Sequence, residues 1–255
     1  MLVTRVEKLS TLAPAEGGRF RVFAFDLEVT VHGPVDPDHG MVVNLAAVKE
    51  SLRREIVGPL DGRCLDGENG APDFRTPEAL ARGIWVMLGG RLAGRPVHRV
   101  RLAGRPSPTV DCFEGDEMDV TRVYEFSASH RLHSAALSEE ENVRVFGKCN
   151  NPRGHGHNYV IEVTLRGRPG KSGELLAAPE FDRIVAAEVV DRWDHKNLNE
   201  DLSEFRSRNP TAEEIVRIAW DRLHEPLGAA AAGGACLHRL KLRETDRNHV
   251  EYFGD

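Results

Sequence analysis

Apolar and polar residues alternate through "RFRVFAFDLEVTVHG" (19–33) and "HNYVIEVTLRG" (157–167), and both segments are rich in β-branched and aromatic side chains, so they read as strands. Apolar positions recur at helical spacing in "NLAAVKESLRREIVGPL" (44–60), "TPEALARGIWVMLGGRL" (76–92), "PEFDRIVAAEVVDRW" (179–193) and "TAEEIVRIAWDRLHEPL" (211–227). Thr76 and Thr211 open two of these helices, each followed two residues later by a glutamate, an acidic first turn suited to a helix start. "GAAAAGG" (Gly228–Gly234) reads as a small-residue linker to the next strand.

The pattern occurs twice. "VTRVEKLS" (Val3–Ser10) returns as "VTRVYEFS" (Val120–Ser127) at an offset of 117, and "FDLEVTVHG" (Phe25–Gly33) as "YVIEVTLRG" (Tyr159–Gly167) at an offset of 134. Leu60–Leu65 then faces Trp193–Leu198, Arg75–Trp85 faces Pro210–Trp220, and Val97–Leu102 faces Leu237–Leu242, in unbroken order. The spacing predicts two copies of one strand–strand–helix–helix–strand–strand module, residues 1–116 and 117–255, joined near Glu114–Met118. The offset grows by 17 between the first two strands, so copy two carries 17 extra residues between Ser127 and Tyr159.

Composition narrows the class without naming a function. Of 255 residues, 40% are hydrophobic and 29% charged, enough for a packed core. A net charge of −6 gives no electrostatic case for nucleic acid. No apolar run is long enough to span a bilayer, and the N-terminus lacks the apolar core of a signal peptide. Cys64, Cys112, Cys149 and Cys236 form no CxxC pair and suit reduced thiols, so the expected setting is the cytoplasm.

The extra interval holds the unusual chemistry. His155 and His157 open a strand, so the two-residue repeat projects both imidazoles from one face. His130, in "FSASHRL" at the end of the preceding strand, can meet them if the two strands are antiparallel neighbours. Three histidines without a fourth protein ligand are the pattern of a catalytic zinc, with one position left for water or substrate. Taken singly, an HxH on a strand is usually surface decoration and a lone cysteine a small buried hydrophobe. His133, His224, His238 and His249 lack such a context and read as surface or structural.

Over Val120–Gly254 the chain resembles the 6-pyruvoyl-tetrahydropterin synthase family, which includes 6-carboxytetrahydropterin synthase. The resemblance rests on "FSASHRL", "FGKCNNPRGHGHNY", "DHKNLN", "NPTAEE" and "RETDRN", in the family's order. It implies an α+β tunnelling fold: two tandem ββααββ modules, each an antiparallel sheet with helices on one face, assembling into a barrel. It further implies Zn2+ on His130, His155 and His157, Cys149 as general base, and Asp194 with His195 as a proton-moving pair. Glu244 would anchor the pterin ring, and Thr211 and Glu213 match positions near it. Lys148, Arg153 and Lys196 are candidates for the triphosphate.

Copy one resembles the same module with its site removed, since Gly62 replaces His195 and Gly104 replaces Glu244 while Asp61 survives opposite Asp194. The implied substrate is 7,8-dihydroneopterin triphosphate, converted to 6-pyruvoyl-tetrahydropterin with loss of triphosphate. The alternative product is 6-carboxytetrahydropterin with acetaldehyde, on the queuosine and deazapurine route. Five residues separate Cys149 from His155, which resembles the pyruvoyl branch more than the shorter loop of the carboxy branch. A non-catalytic zinc- or pterin-binding scaffold is the reading from another class. One equipped module per chain implies a homo-oligomer, a trimer of two-module chains or a multiple of it.

Overall fold

A computed structural model describes residues 1–68, 74–104 and 108–254, apart from the Glu16 side chain. The chain divides into two compact units, one of Met1–Arg122 with Arg166–Leu175 and one of Val123–Leu165 with Leu176–Asp255.

In the first unit, β1 (Leu2–Ala15) pairs antiparallel with β2 (Arg19–His32), from Leu2 opposite His32 to Ala15 opposite Arg19. After a helical stretch α1 (45–60) and helix α2 (Pro77–Met87), β3 (Arg95–Gly104) returns beside β2, and β4 (Thr109–Cys112) pairs with β3. Strand β5 (Met118–His130) begins beside β4, with Thr121 opposite Thr109. On β2 the alternating Phe23, Phe25, Leu27, Val29 and Val31 are buried with Leu52, Ile56, Leu80 and Ile84 of the helices. Each such side chain contributes roughly 1.5–3 kcal/mol when fully buried.

The second unit repeats the order. Helix α3 (Glu139–Phe146) follows β5, then β6 (His155–Gly167), a helical stretch α4 (178–193), α5 (Ala212–Ala230), β7 (Cys236–Thr245) and β8 (Asn248–Tyr252). The strands lie in the order β5, β6, β7, β8, and α5 packs on β7. Tyr159, Ile161, Val163 and Leu165 of β6 are buried with Trp193, Ile215 and Leu223, so one face of the sheet is core.

The predicted strands and helices form where the patterns place them, with three differences. The helix read over 76–92 ends at Met87, and Arg91–Leu92 instead form a short strand against the start of β3. Helix α3 was not anticipated; Ser138 and Glu141 close its start as a capping box, each side chain bonding the other's backbone. "GAAAAGG" is not wholly a linker, because α5 runs through Pro226 to Ala230. Proline removes one helical donor, but Leu227 is fully buried and its carbonyl accepts from Ala231 N at 3.0 Å, which holds the last turn.

One turn is built alike in both units. Asp61 Oδ1 accepts from Ser10 N at 2.8 Å while Gly62 N donates to Ser10 O at 2.7 Å. Asp194 Oδ1 accepts from Ser127 N at 2.7 Å while His195 N donates to Ser127 O at 2.6 Å. The residue after the aspartate is left-handed in each, φ +69° at Gly62 and +57° at His195. Glycine adopts this conformation freely, whereas a side chain there costs about 1–2 kcal/mol. Replacing His195 by Gly should therefore raise the melting temperature, by about 2 °C once glycine's extra unfolded-state entropy is subtracted. A fall on calorimetry would show that the histidine is not strained.

Glu78, in the first turn of α2, is only 4% exposed. Burial pushes its carboxyl up to about 7, and nearby Glu174 adds to the push. The folded chain thus favours the neutral acid: its stabilising contribution is full below the ordinary carboxyl value and is lost as pH rises through about 7. The loss is on the order of 3 kcal/mol. Glu78→Gln should flatten the decline of melting temperature between pH 5 and 8; an unchanged slope would exclude Glu78 as its source.

Candidate functional site

The buried face of β6 continues past Tyr159 to His157 and His155 by the same two-residue step, and the buried face of β5 runs Phe126, Ala128, His130. Three imidazoles therefore meet at one end of the core. Their ligand nitrogens all lie within 4.8 Å of one another, and His130 Nε2 stands 3.1 Å from His155 Nε2. Two nitrogens bound tetrahedrally to one zinc ion would be separated by about 3.3 Å, given bonds of about 2.0–2.1 Å.

Their protonation suits a cation. His130 Nδ1 donates to the Pro210 carbonyl at 2.7 Å, which fixes the tautomer and leaves Nε2 with a free lone pair. Burial holds His130 and His155 below the usual histidine range, and the neighbouring histidines add to the effect. His157 Nε2 and His155 Nδ1 are buried without a hydrogen-bond partner. Buried polar atoms are seldom left so, and a metal ion would satisfy the first of these two. The residues fit a divalent ion.

Glu244, on β7, sets Oε1 at 3.6 Å from His130 Nε2 and 3.7 Å from His157 Nε2. Tyr159 hydrogen-bonds Glu244 and lies beside His130; burial, then Glu244, drives its phenol well above the ordinary tyrosine range. Sequence reasoning missed Tyr159, although it is the next member of the 155, 157, 159 series.

Cys149 is half-buried in the turn Gly147–Asn150, and its carbonyl accepts from Leu132 N at 2.8 Å, two residues beyond His130. Gly154 lets the chain cross this strand end: its φ is +68° and a Cβ would stand 3.0 Å from the His130 carbonyl oxygen. Asp194 and His195 are paired, Nδ1 to Oδ2, at 2.7 Å. The Ser127 backbone N–H, then His195, holds the Asp194 carboxyl below the usual range. The His195 ring is 82% exposed. A cavity of about 420 Å³ reaches both His157 and His195, and Ser127, Ser129, Asn158 and Lys196 also line it.

Thr211 and Glu213 stand at the start of α5. The Thr211 hydroxyl caps α5, accepting from Glu214 N at 3.4 Å, and Glu213 is exposed on the first turn. The neighbouring Pro210 carbonyl, not anticipated, is the group that touches the triad.

Comparison with known proteins bears on this geometry. A family model described as 6-pyruvoyl tetrahydropterin synthase matches residues 23–114 and 119–255. A 6-pyruvoyl tetrahydrobiopterin synthase of Poecilia reticulata is 40% identical over 137 residues, 53% of this chain and 90% of the relative. A putative 6-carboxy-5,6,7,8-tetrahydropterin synthase of Archaeoglobus fulgidus is 28% identical over 118 residues, 46% of this chain and 90% of the relative. The solved 6-pyruvoyl tetrahydropterin synthase of Caenorhabditis elegans superposes with a TM-score of 0.49 at 36% identity, covering 55% of this chain and 96% of that one. With matches along both units, and a histidine cluster that could hold a metal ion, this chain belongs to the 6-pyruvoyl tetrahydropterin synthase family.

Proposed function

We propose that the chain is a zinc-dependent lyase converting 7,8-dihydroneopterin triphosphate to 6-pyruvoyl-tetrahydropterin. The observation that carries this reading is the convergence of the three imidazoles beside Glu244, with His157 lining the same cavity as His195, the partner of Asp194. Zinc on His130, His155 and His157 would supply Lewis acidity toward the hydroxyls of the substrate side chain. Cys149 takes the proton from the carbon beside a hydroxyl as triphosphate departs, and His195, oriented by Asp194, relays protons through its exposed ring. Glu244 presents one carboxylate to two parallel N–H donors of the pterin edge; Thr211 and Glu213 belong to the same ring's surroundings, Thr211 through its position after Pro210.

A second reading, formation of 6-carboxytetrahydropterin and acetaldehyde, is favoured by the similarity to the Archaeoglobus protein. The higher identity to a 6-pyruvoyl relative and the five residues between Cys149 and His155 favour the first. A scaffold that only binds would need neither the thiol nor the Asp–His pair.

The first unit is proposed as a catalytically inactive tunnelling-fold module. The chain would work in the cytoplasm as a homo-oligomeric barrel, a trimer of two-module chains or a multiple. Both β1 and β8 are edge strands, and unpaired edges invite pairing with another copy. Among the described residues the four cysteines are free and no helix is long and apolar enough to cross a membrane.

Incubation with dihydroneopterin triphosphate, followed by chromatography, should yield triphosphate and 6-pyruvoyl-tetrahydropterin. Acetaldehyde would select the second reading, and no turnover by the zinc-loaded chain would sink both. Cys149→Ala should keep about one zinc per chain and lose about 10²–10⁴ in kcat; unchanged turnover would remove the thiol from the base role. His155→Ala should lose most of its zinc by elemental analysis, and an unaltered content would refute the ligand set. Light scattering should return three or six times the 28.3 kDa chain mass, and a monomer would contradict the barrel.

A further inference from the structure

The residues that follow His130 are held by side chains from distant parts of the second unit. Asn199 grips both backbone groups of Arg131: its Oδ1 accepts from Arg131 N at 2.8 Å and its Nδ2 donates to Arg131 O at 3.0 Å. The Arg131 guanidinium points the other way, to the residue after Cys149. Its Nε and Nη2 donate to Asn150 Oδ1 at 3.1 and 2.9 Å, and Nε also reaches the Asn150 carbonyl at 3.3 Å. Leu132 N closes the same contact on the Cys149 carbonyl at 2.8 Å.

Asn150 is only 6% exposed, so its amide oxygen must be satisfied within the protein, and Arg131 satisfies it. Asn199 sits in the short helix Leu198–Asp201, directly after the Asp194–His195 turn. Arg131 is therefore joined by covalent bond to a triad histidine, by its guanidinium to the thiol's turn, and by its peptide groups to the segment of the Asp–His pair.

We infer that Asn150 and Asn199 are positioning residues that act through Arg131, fixing the Cys149 thiol and the Asp194–His195 pair relative to the histidine triad. The inference rests on the reading of these groups as one catalytic site. Neither asparagine touches the triad, and neither is needed as a ligand. Their effect is geometric: a thiol displaced by about 1 Å from a reacting carbon can cost about 10²-fold in rate.

The hydrogen-bond directions separate the two asparagines. Asn150 acts as an acceptor toward Arg131, so aspartate can replace it. Asn199 accepts and donates at once, so aspartate would set an oxygen against the Arg131 carbonyl.

The test compares Asn150→Ala, Asn150→Asp and Asn199→Asp with the wild type in the full chain. Asn150→Ala and Asn199→Asp should retain about one zinc per chain, lose about 10–100-fold in kcat and hold KM within about twofold. Asn150→Asp should stay within about threefold of wild type.

A second readout needs no turnover. The rate of iodoacetamide alkylation at Cys149, followed on its peptide by mass spectrometry, is measured in zinc-loaded and zinc-free protein. A thiol held near a dication responds to loading, so the ratio of rates should depart from one in the wild type and Asn150→Asp. It should return toward one in Asn150→Ala. A wild-type ratio already at one would overturn the inference. So would an Asn150→Ala variant matching wild type in ratio and kcat, or an Asn150→Asp variant as impaired as the alanine. Absence of turnover in the wild type would instead sink the proposed reaction, leaving the alkylation ratio to judge the positioning.

Discussion

The site depends on one continuity: the buried stripe of the second unit's sheet runs from aliphatic residues into histidines without changing face. On β6 the step of two leads from Leu165, Val163, Ile161 and Tyr159 to His157 and His155, and on β5 from Phe126 and Ala128 to His130. The same burial that would make an apolar side chain stabilising here makes a charged imidazole costly, and it holds His130 and His155 toward their neutral, ligating form. The ground under the histidines is stiff. Phe126 stacks on Tyr159 with ring centroids 5.1 Å apart and meets Trp193 edge-on at 5.6 Å, and both Tyr159 and Trp193 are fully buried.

The first unit displays the same frame carrying other side chains. Shifted by the repeat offsets, the places of His130, His155 and His157 are taken by Ala13, Arg21 and Phe23, and that of Glu244 by Gly104. Asp61 nevertheless remains. Its carboxylate does for Ser10 N what Asp194 does for Ser127 N, so its survival follows from a backbone donor that each turn must satisfy. Next to it the left-handed residue is glycine in one unit and histidine in the other. A strained conformation that glycine would relieve is kept where the imidazole has a proposed task, and relieved where it has none.

What the sequence discloses follows physical range. Strands and helices were legible because periodicity and capping residues act over a few positions, and the HxH pair was legible because the two-residue period is itself local. Helix α3 was not read: its Val143 and Val145 are exposed, so no apolar stripe announces it. The signal present was the "SEEE" start, a capping box in which Ser138 and Glu141 stand three apart. Extending α5 past Pro226 required knowing that Leu227 finds a buried place. Glu244 was visible only through family resemblance, since nothing in a strand pattern marks a carboxylate that ends near two imidazoles from other strands. The asparagine contacts to Arg131 were invisible for the same reason. Asn199 binds backbone groups 68 residues away, where a peptide N–H has no signature in sequence, and Asn150 meets a guanidinium 19 residues away.

The docking of Asp194 also decides which member of its pair exchanges protons in the proposed reaction. One carboxylate oxygen is taken by a backbone N–H that cannot be withdrawn without breaking the turn, and this bond is the main cause of the carboxyl's lowered pKa. The second oxygen receives His195 Nδ1–H. The anion is thus stabilised by a permanent donor whatever the state of the imidazole, which disfavours the carboxylate as the place for a proton arriving at the pair. The ring beside it is 82% exposed. Asp194 fixes the ring's orientation and tautomer, and the left-handed backbone at His195 sets the ring on the cavity that His157 also lines. Strain at one residue and a hydrogen bond at its neighbour therefore belong to a single device, in which the backbone bears the cost of aiming an imidazole.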